Sequence, residues 1–223
     1  MHGRATGCLP ETHRIRRMTQ RFAVHPVTPQ PRLVQQTVDL LRRGGLIVYP
    51  TDSCYAFGCE LAARSAIERI EAIRATDRNH NFTLVCRDLA EIATYARVEN
   101  WVYRLLRAHT PGPYTFILPA TRDVPRRLQN PKRRTIGIRV PDHPVPRAIL
   151  AQLDTPLMSS TMLLPGDELP LTDAADIYDR LRGRVDLVID GGNCGVEPTS
   201  VIDLTSNHPQ VLRTGRGSVK YFV

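Results

Sequence analysis

Three short segments carry the side chains most able to do chemistry. In Tyr49-Pro50-Thr51-Asp52-Ser53, two hydroxyls and a carboxylate follow an apolar run. Open α/β sheets hold ligands at that place, just beyond the carboxyl end of a strand. An ordinary Pro-Thr-Asp turn would use the same residues. Pro111-Gly112-Pro113-Tyr114-Thr115 is a rigid loop that runs into a strand. Thr115 falls on the face opposite Tyr114 and Phe116, so its hydroxyl points into a cleft or is a routine strand threonine. In Thr135-Ile136-Gly137-Ile138-Arg139-Val140, alternation puts the aliphatic residues on one face and Gly137 with Arg139 on the other. A guanidinium fork beside a glycine suits a carboxylate or phosphate. A salt bridge to a neighbouring acid would use Arg139 equally well.

Common catalytic signatures are missing. The chain has no Walker loop, no GxGxxG, no HExxH and no GxSxG. His25, His80, His109, His143 and His208 form no known cluster, and the five cysteines (Cys8, Cys54, Cys59, Cys86, Cys194) form no CxxC pair. No metal site is expected, and the scattered, odd set of thiols fits reduced cysteines in a cytoplasmic protein. Chemistry in such a chain would rest on positioning and electrostatics rather than on a covalent nucleophile.

The elements that must position these segments alternate between helix and strand. Helices are expected from Thr28-Pro29-Gln30-Pro31 to Gly44-Gly45, over Ser65–Arg74, from a cap at Asp88 to Ala96, over Trp101–Ala108, from near Pro144, and from Thr172 or Asp173 to Leu181. Strands are expected at Leu46–Tyr49, Phe82–Val85, Tyr114–Leu118, Thr135–Val140, Pro156–Ser160, Val185–Ile189, Ser200–Leu204 and Val211–Arg213. The fold class is therefore α/β, a twisted, mixed, open sheet flanked by helices in one domain over residues 19–223. Residues 1–18 read as a disordered extension or a mis-assigned start at Met18. No apolar run approaches the roughly 20 residues that span a bilayer, so no membrane partner is expected.

The 223 residues carry a net charge of +8. Between Arg122 and Arg147 lie eight basic residues against Asp123 and Asp142, a local charge of +6. Arg126, Arg127, Lys132, Arg133 and Arg134 form its centre, without an aromatic residue among them. The segment suits the phosphates of a structured nucleic acid, or is a solvated loop.

Taken in order, the three segments and two more resemble the YrdC/YciO family. Tyr49 to Gly58 is similar to its opening YPT(E/D)T-x-Y-GLG motif, Pro111 to Thr115 to PGPxT, and Thr135 to Pro141 to TxxxRxP. Pro198 to Asp203 is similar to PSTVxD, and Leu212 to Arg216 to the final RxG. The resemblance runs from about residue 19 to the end, and implies a YrdC-like domain. Family synthases join L-threonine, bicarbonate and ATP into threonylcarbamoyl-AMP for tRNA modification. ATP, with magnesium, would be a substrate, and no tightly bound cofactor is implied.

By position, the resemblance puts Thr51, Tyr55, His80, Thr115, Arg139, Thr199 and Ser200 around threonine. It puts Arg74, Arg78, Ser159, Thr161 and Arg213 around the nucleotide, with Arg74 and Thr161 at the catalytic motifs. Two departures stand out. The synthases' Lys-x-Arg is Arg74-Ala75-Thr76 here, and their Ser-x-Asn is Thr161-Met162-Leu163. The segments His80 to Leu84, Val124 to Leu128 and Leu164 to Gly166 resemble the YciO branch. The reading is a nucleotide-binding protein with weak synthase activity. The alternatives are a tRNA-binding or double-stranded-RNA-binding factor without that activity, and a hydrolase of such adenylates.

Overall fold

The computed structural model describes residues 18–75 and 82–222. Ten strands form one sheet: β1 (Gln20–Ala23), β2 (Ile47–Tyr49), β3 (Ala56–Glu60), β4 (Thr83–Val85), β5 (Tyr114–Pro119), β6 (Thr135–Arg139), β7 (Leu157–Thr161), β8 (Leu187–Asp190), β9 (Ser200–Asp203) and β10 (Gln210–Arg213). Their spatial order is β1-β8-β2-β3-β7-β4-β6-β5-β9-β10. Neighbours β1 and β8, β2 and β8, β4 and β6, and β5 and β9 run parallel, and the other pairs antiparallel. The mixed open sheet is thus the one expected. Two strands, β1 and β3, were not anticipated. β1 is a largely exposed edge, and β3 lies inside the first motif.

Six helices accompany the sheet: α1 (Pro31–Arg42), α2 (Arg64–Arg74), α3 (Leu89–Tyr95), α4 (Asn100–His109), α5 (Pro144–Leu150) and α6 (Ala174–Leu181). Their ends follow local chemistry. Asp88 accepts from the Glu91 amide at 2.9 Å at the start of α3, and Asp173 accepts from the Ala175 amide at 2.7 Å at the start of α6. The α1 end turns at Gly44, whose φ of +77° suits glycine. No helix among the described residues is long and apolar enough to cross a membrane.

The helices share the two faces of the sheet unequally. Apolar residues of α2, α3, α4 and α6 join Val48, Phe57, Leu84, Phe116, Ile138, Met158 and Ile202 in one core. On the opposite face, Val34, Val38 and Leu41 of α1 and Val145, Ile149 and Leu150 of α5 pack on Ile47, Tyr49, Ala56, Val85, Leu157 and Ile189. Strand alternation also puts Gly58, Ser159, Thr83, Gly137, Arg139 and Thr115 on this second face. Beyond α1 and α5, no described helix covers it.

The far side of the sheet is tied by Asp203, whose carboxylate is almost fully enclosed. It accepts from the Thr205 amide at 2.9 Å and the Thr205 hydroxyl at 2.6 Å, and pairs with Arg133 Nη1 at 2.9 Å. Burial pushes this carboxyl up, but those bonds together hold it below the ordinary carboxylate value. A carboxyl depressed in the folded state stabilises fully above its unfolded value, and that contribution is lost as pH falls through the folded one. Asp203→Asn should therefore cost about 1.5–3 kcal/mol at neutral pH. In urea titrations at several pH values, the difference from the parent should shrink below the carboxylate range. A gap that stays constant into strong acid would show that charge is not its source.

Candidate functional site

The uncovered part of the second face is floored by small and hydroxyl-bearing residues. Tyr49 lies over Gly58, where an added Cβ would stand 2.7 Å from its ring. The Tyr49 hydroxyl sits 2.9 Å from Ser159 Oγ, which itself donates to the Phe57 carbonyl at 2.9 Å, so Tyr49 is the donor to Ser159. Burial pushes the Tyr49 phenol up to about 12. Next along the sheet come Thr83 and Gly137, paired in register, and then Thr115. Thr115 Oγ1 meets Thr199 Oγ1 at 2.8 Å.

The connection from β2 to β3 reaches over this floor. Asp52 forms an ion pair with Nη2 of Arg139, and its other oxygen accepts from the Asp142 amide at 3.0 Å. Arg139 Nη1 lies 3.4 Å from Ser53 Oγ. Thr51 Oγ1 donates to the Cys54 carbonyl at 2.7 Å and stands 3.1 Å from Ser53 Oγ. Between the two openings for Arg139, a carboxylate grip or an internal salt bridge, the structure takes the second. Arg139 Nε is buried without a hydrogen-bond partner.

The C-terminal segment closes the same corner. Arg213 donates from Nε and Nη2 to the Thr199 carbonyl at 3.1 and 2.8 Å. Ser200 Oγ donates to the Gly217 carbonyl at 2.5 Å and accepts from the Gly215 amide at 2.9 Å. An added Cβ at Gly215 would stand 2.2 Å from the Pro198 carbonyl oxygen, so only glycine allows this approach. Burial lowers the Arg213 guanidinium from its ordinary value. It also pushes the Cys54 thiol up, against the pull of the Arg139 and Arg213 charges. Thr51, Thr115, Arg139, Thr199 and Arg213 are thus brought together, whereas Ser200, in register with Tyr114, is fully buried on the opposite face and serves only to hold the C-terminal segment.

Other expected residues stand apart. The ring of Tyr55 is buried in the helix-side core, and its hydroxyl donates to the Gly192 carbonyl at 2.7 Å. Arg74 sits at the end of α2, with Nη1 on Ser160 Oγ and Nε 3.5 Å from the Leu163 carbonyl. Burial lowers its guanidinium. Arg74, Ser160 and the Leu163 carbonyl therefore make a second cluster at the end of β7, while alternation turns Thr161 to the face opposite Ser160. Ser159 is turned inward to Phe57. Thr76, Arg78 and His80 lie outside the described residues. Sequence reading counts Ser53 among the two hydroxyls of the first segment but assigns it no role of its own. Ser160 and Thr83 were not singled out and show only through strand register.

The basic segment is exposed, with a single 3-10 turn at Arg126–Leu128 anchored by buried Val124 and Leu128. Two of its cations serve the chain itself. Arg127 donates to the Leu61 carbonyl at 2.8 Å, and Arg133 pairs with Asp203. Arg126, Lys132 and Arg134 have no side-chain partner among the described residues. Four of the cysteines are described, and all four are free thiols. No cluster of potential metal ligands occurs among the described residues.

Comparison with known proteins identifies the family and the fold. The Sua5_yciO_yrdC family model, described as "Telomere recombination", matches residues 39–215. The uncharacterised protein YciO of Escherichia coli K12 is 52% identical over 206 residues, which span 92% of this chain and all of that one. A threonylcarbamoyl-AMP synthase of Chromobacterium violaceum is 33% identical over 191 residues, 84% of this chain and 96% of its own. The crystal structure of E. coli YciO superposes with a TM-score of 0.89 at 51% identity, covering 92% of this chain and 100% of that one. That of P. abyssi Sua5 complexed with L-threonine superposes at 0.81 with 23% identity, over 88% of this chain and 58% of that one, and shares the fold.

The ion pair of Asp52 and Arg139 should hold the first loop in place. Arg139 is 8% exposed, so Asp52→Asn leaves a buried guanidinium without its counter-charge. We expect a loss of about 3–5 kcal/mol in urea unfolding. Adding Arg139→Met should recover part of that loss, because the stranded charge goes with it. Costs of the two changes that simply add would mean the pair is not coupled.

Proposed function

This chain belongs to the Sua5/YciO/YrdC family, and on that premise we propose that it binds L-threonine and a nucleotide and makes threonylcarbamoyl-AMP slowly. The observation that carries the reading is the cluster of Thr51, Ser53, Thr115, Thr199 and Arg213 around the recess beside Arg139. It offers hydroxyls and a cation to an anionic, hydrogen-bonding ligand, with no acid-base pair. The L-threonine complex of P. abyssi Sua5, a protein of the same fold, supports an amino acid as that ligand.

The reaction asks for positioning. The threonine amine takes the carbon of bicarbonate, releasing water, and the product is a carbamate. A carbamate oxygen then attacks the α-phosphorus of ATP, and pyrophosphate leaves with the pair of electrons of the broken P–O bond. Holding such reactants in near-attack geometry can supply most of the acceleration. Thr51, Thr115 and Thr199 would orient the amino acid. Arg213 and Arg74 would carry the negative charge of the nucleotide, since Arg139 is already neutralised by Asp52. Thr161 would reach the phosphates from the end of β7.

The same corner supports a slow reaction. Leu163 stands where the synthases have asparagine, and its side chain can neither donate nor accept a hydrogen bond. Thr76 stands where they have arginine. Each lost contact to developing charge costs about 2.7–4 kcal/mol, or 10²–10³ in rate. Product analysis with ATP, threonine and bicarbonate, each omitted in turn, tests the reading. Pyrophosphate release should be weak and depend on all three. Leu163→Asn with Thr76→Arg should raise it at least about tenfold. A parent as fast as a synthase carrying both motifs would overturn this account of the corner.

Arg126, Lys132 and Arg134, without a side-chain partner among the described residues, support a second reading, a phosphate-binding surface for structured RNA. Three phosphate contacts on a duplex would give a slope of about −2.7 for log affinity against log salt. Replacing Arg126, Lys132 and Arg134 with alanine should abolish that slope. Arg133→Ala should instead lower the melting temperature, because it strips Asp203 of its partner. An unchanged slope in the triple variant would remove RNA from consideration for this surface.

A further inference from the structure

Tyr55 belongs to the first motif, yet its ring is buried in the helix-side core and cannot line the recess. Its hydroxyl donates to the Gly192 carbonyl at 2.7 Å, across 137 residues of chain. Gly192 lies in the connection between β8 and β9, residues 191–199, which ends at Thr199 beside the recess. Burial pushes the Tyr55 phenol up, so it keeps its proton and remains a donor near neutrality. Little else fixes this connection. Residues 191–199 contain no helix or strand, and residues 192–197 are half-buried or exposed. Among the described residues its amides find two acceptors, Asp190 Oδ1 for Gly192 at 3.2 Å and the Thr172 carbonyl for Cys194 at 3.3 Å. The Cys194 thiol adds a long contact of 3.6 Å to the Thr51 carbonyl. A segment with so few bonds and so much exposure opens locally at low cost.

The place of the connection nonetheless bears on the recess from two sides. At Gly195 it lies against the first loop, where an added Cβ would stand 2.8 Å from the Ser53 carbonyl oxygen and 3.0 Å from Arg216 Nη1. At its end, the Thr199 hydroxyl meets Thr115 and the Thr199 carbonyl takes two bonds from Arg213. A shift of the connection therefore moves Thr199 and Arg213 relative to the loop that carries Thr51 and Ser53. We propose that Tyr55 is a positioning residue: its hydroxyl ties down the connection 191–199 and so sets Thr199 and Arg213 against Thr51 and Ser53 for the ligand of the recess. The proposal rests on the amino-acid reading of the site given above. It gives a motif tyrosine that never meets the ligand a part in binding it.

Two measurements on the full chain test this together: calorimetric titration with L-threonine, and hydrogen exchange read by mass spectrometry over residues 191–200. Tyr55→Phe keeps the ring and removes the hydroxyl. It should speed exchange over 191–200 about three- to tenfold, as the loss of one hydrogen bond warrants, and leave α1 and β2 as in the parent. Threonine affinity should fall by a similar factor, because binding must then order the connection. Saturating threonine should return exchange over 191–200 to the level of the liganded parent, which a merely structural role for Tyr55 would not produce. Gly192→Ala strains a residue at φ +90° and loosens the same tether without entering the core, so it repeats the test should Tyr55→Phe melt early. Unchanged exchange over 191–200, or faster exchange with the parent's threonine affinity, would overturn this inference and leave the amino-acid reading intact. A parent that does not bind L-threonine would overturn that reading, and this inference with it.

Discussion

The ion pair between Asp52 and Arg139 is the contact on which the arrangement of the recess depends. It joins positions 87 residues apart, one on the connection after β2 and one at the end of β6. Both side chains are about nine-tenths enclosed, and a buried guanidinium without a counter-charge would be strongly unfavourable. Asp52 is in turn held by the Asp142 amide, so the start of the segment leading to α5 is drawn into the same corner. The pair also sets the charge of the site. Arg139 spends Nη2 on Asp52 and points Nη1 at Ser53, so little of its fork is left for a ligand. Among the cations near the recess, Arg213 is the one whose guanidinium is bonded to a carbonyl rather than paired with a carboxylate.

The recess exists because small residues stand where a helix-covered sheet would carry large ones. Gly58 lets the Tyr49 ring approach β3, and Gly137 lets Thr83 and Thr115 close in on β6, where an added Cβ would stand 3.1 and 3.2 Å from them. The polar groups along this floor are donors and acceptors rather than groups that titrate near neutrality. Tyr49 is the clearest case, since its phenol is pushed up to about 12 by burial and stays protonated near neutrality. His143, at the rim, has its imidazole lowered by burial against the opposing pull of Asp52 and Asp142, and its Nδ1 caps α5 by accepting from the Val145 amide. The Tyr49 phenol is therefore not poised as an acid or base near pH 7. A floor of this kind favours chemistry that needs reactants held rather than protons moved.

Much of the fold was legible because it is written in local terms. Asp88, Asp173 and the Gly44-Gly45 pair mark helix ends by chemistry that acts within four residues. The alternation over Thr135–Arg139 predicted that Gly137 and Arg139 share a face, and they do. Long-range pairing was not legible in that way. Nothing in the sequence joins Asp52 to Arg139, or Arg133 to Asp203, since those partners meet only after the sheet is assembled. For the same reason the basic segment read as five equivalent cations, although two are bound internally. Tyr55 was misleading in a different way. Its place in the first motif suggested the recess, but its ring lies in the core on the other side of the sheet.

The two corners of the site need not share a fate. The corner around Thr115, Thr199 and Arg213 carries hydroxyls and a cation, while the end of β7 leads to Leu163, whose side chain can neither donate nor accept a hydrogen bond. Contacts made equally to bound substrate and transition state govern affinity, whereas contacts that strengthen only as charge develops govern rate. On the proposed reading, the first corner supplies the former and the second the latter. Arg74 sharpens the distinction. It donates to Ser160 and to the Leu163 carbonyl, so its guanidinium is partly spent on the chain before any nucleotide arrives. Burial already lowers its hold on a proton, and the charge it can direct at a phosphate must first leave these partners. On that reading, the chain keeps affinity for the amino acid while turning over slowly, because the groups that differ are those whose contribution appears only when the phosphorus is attacked.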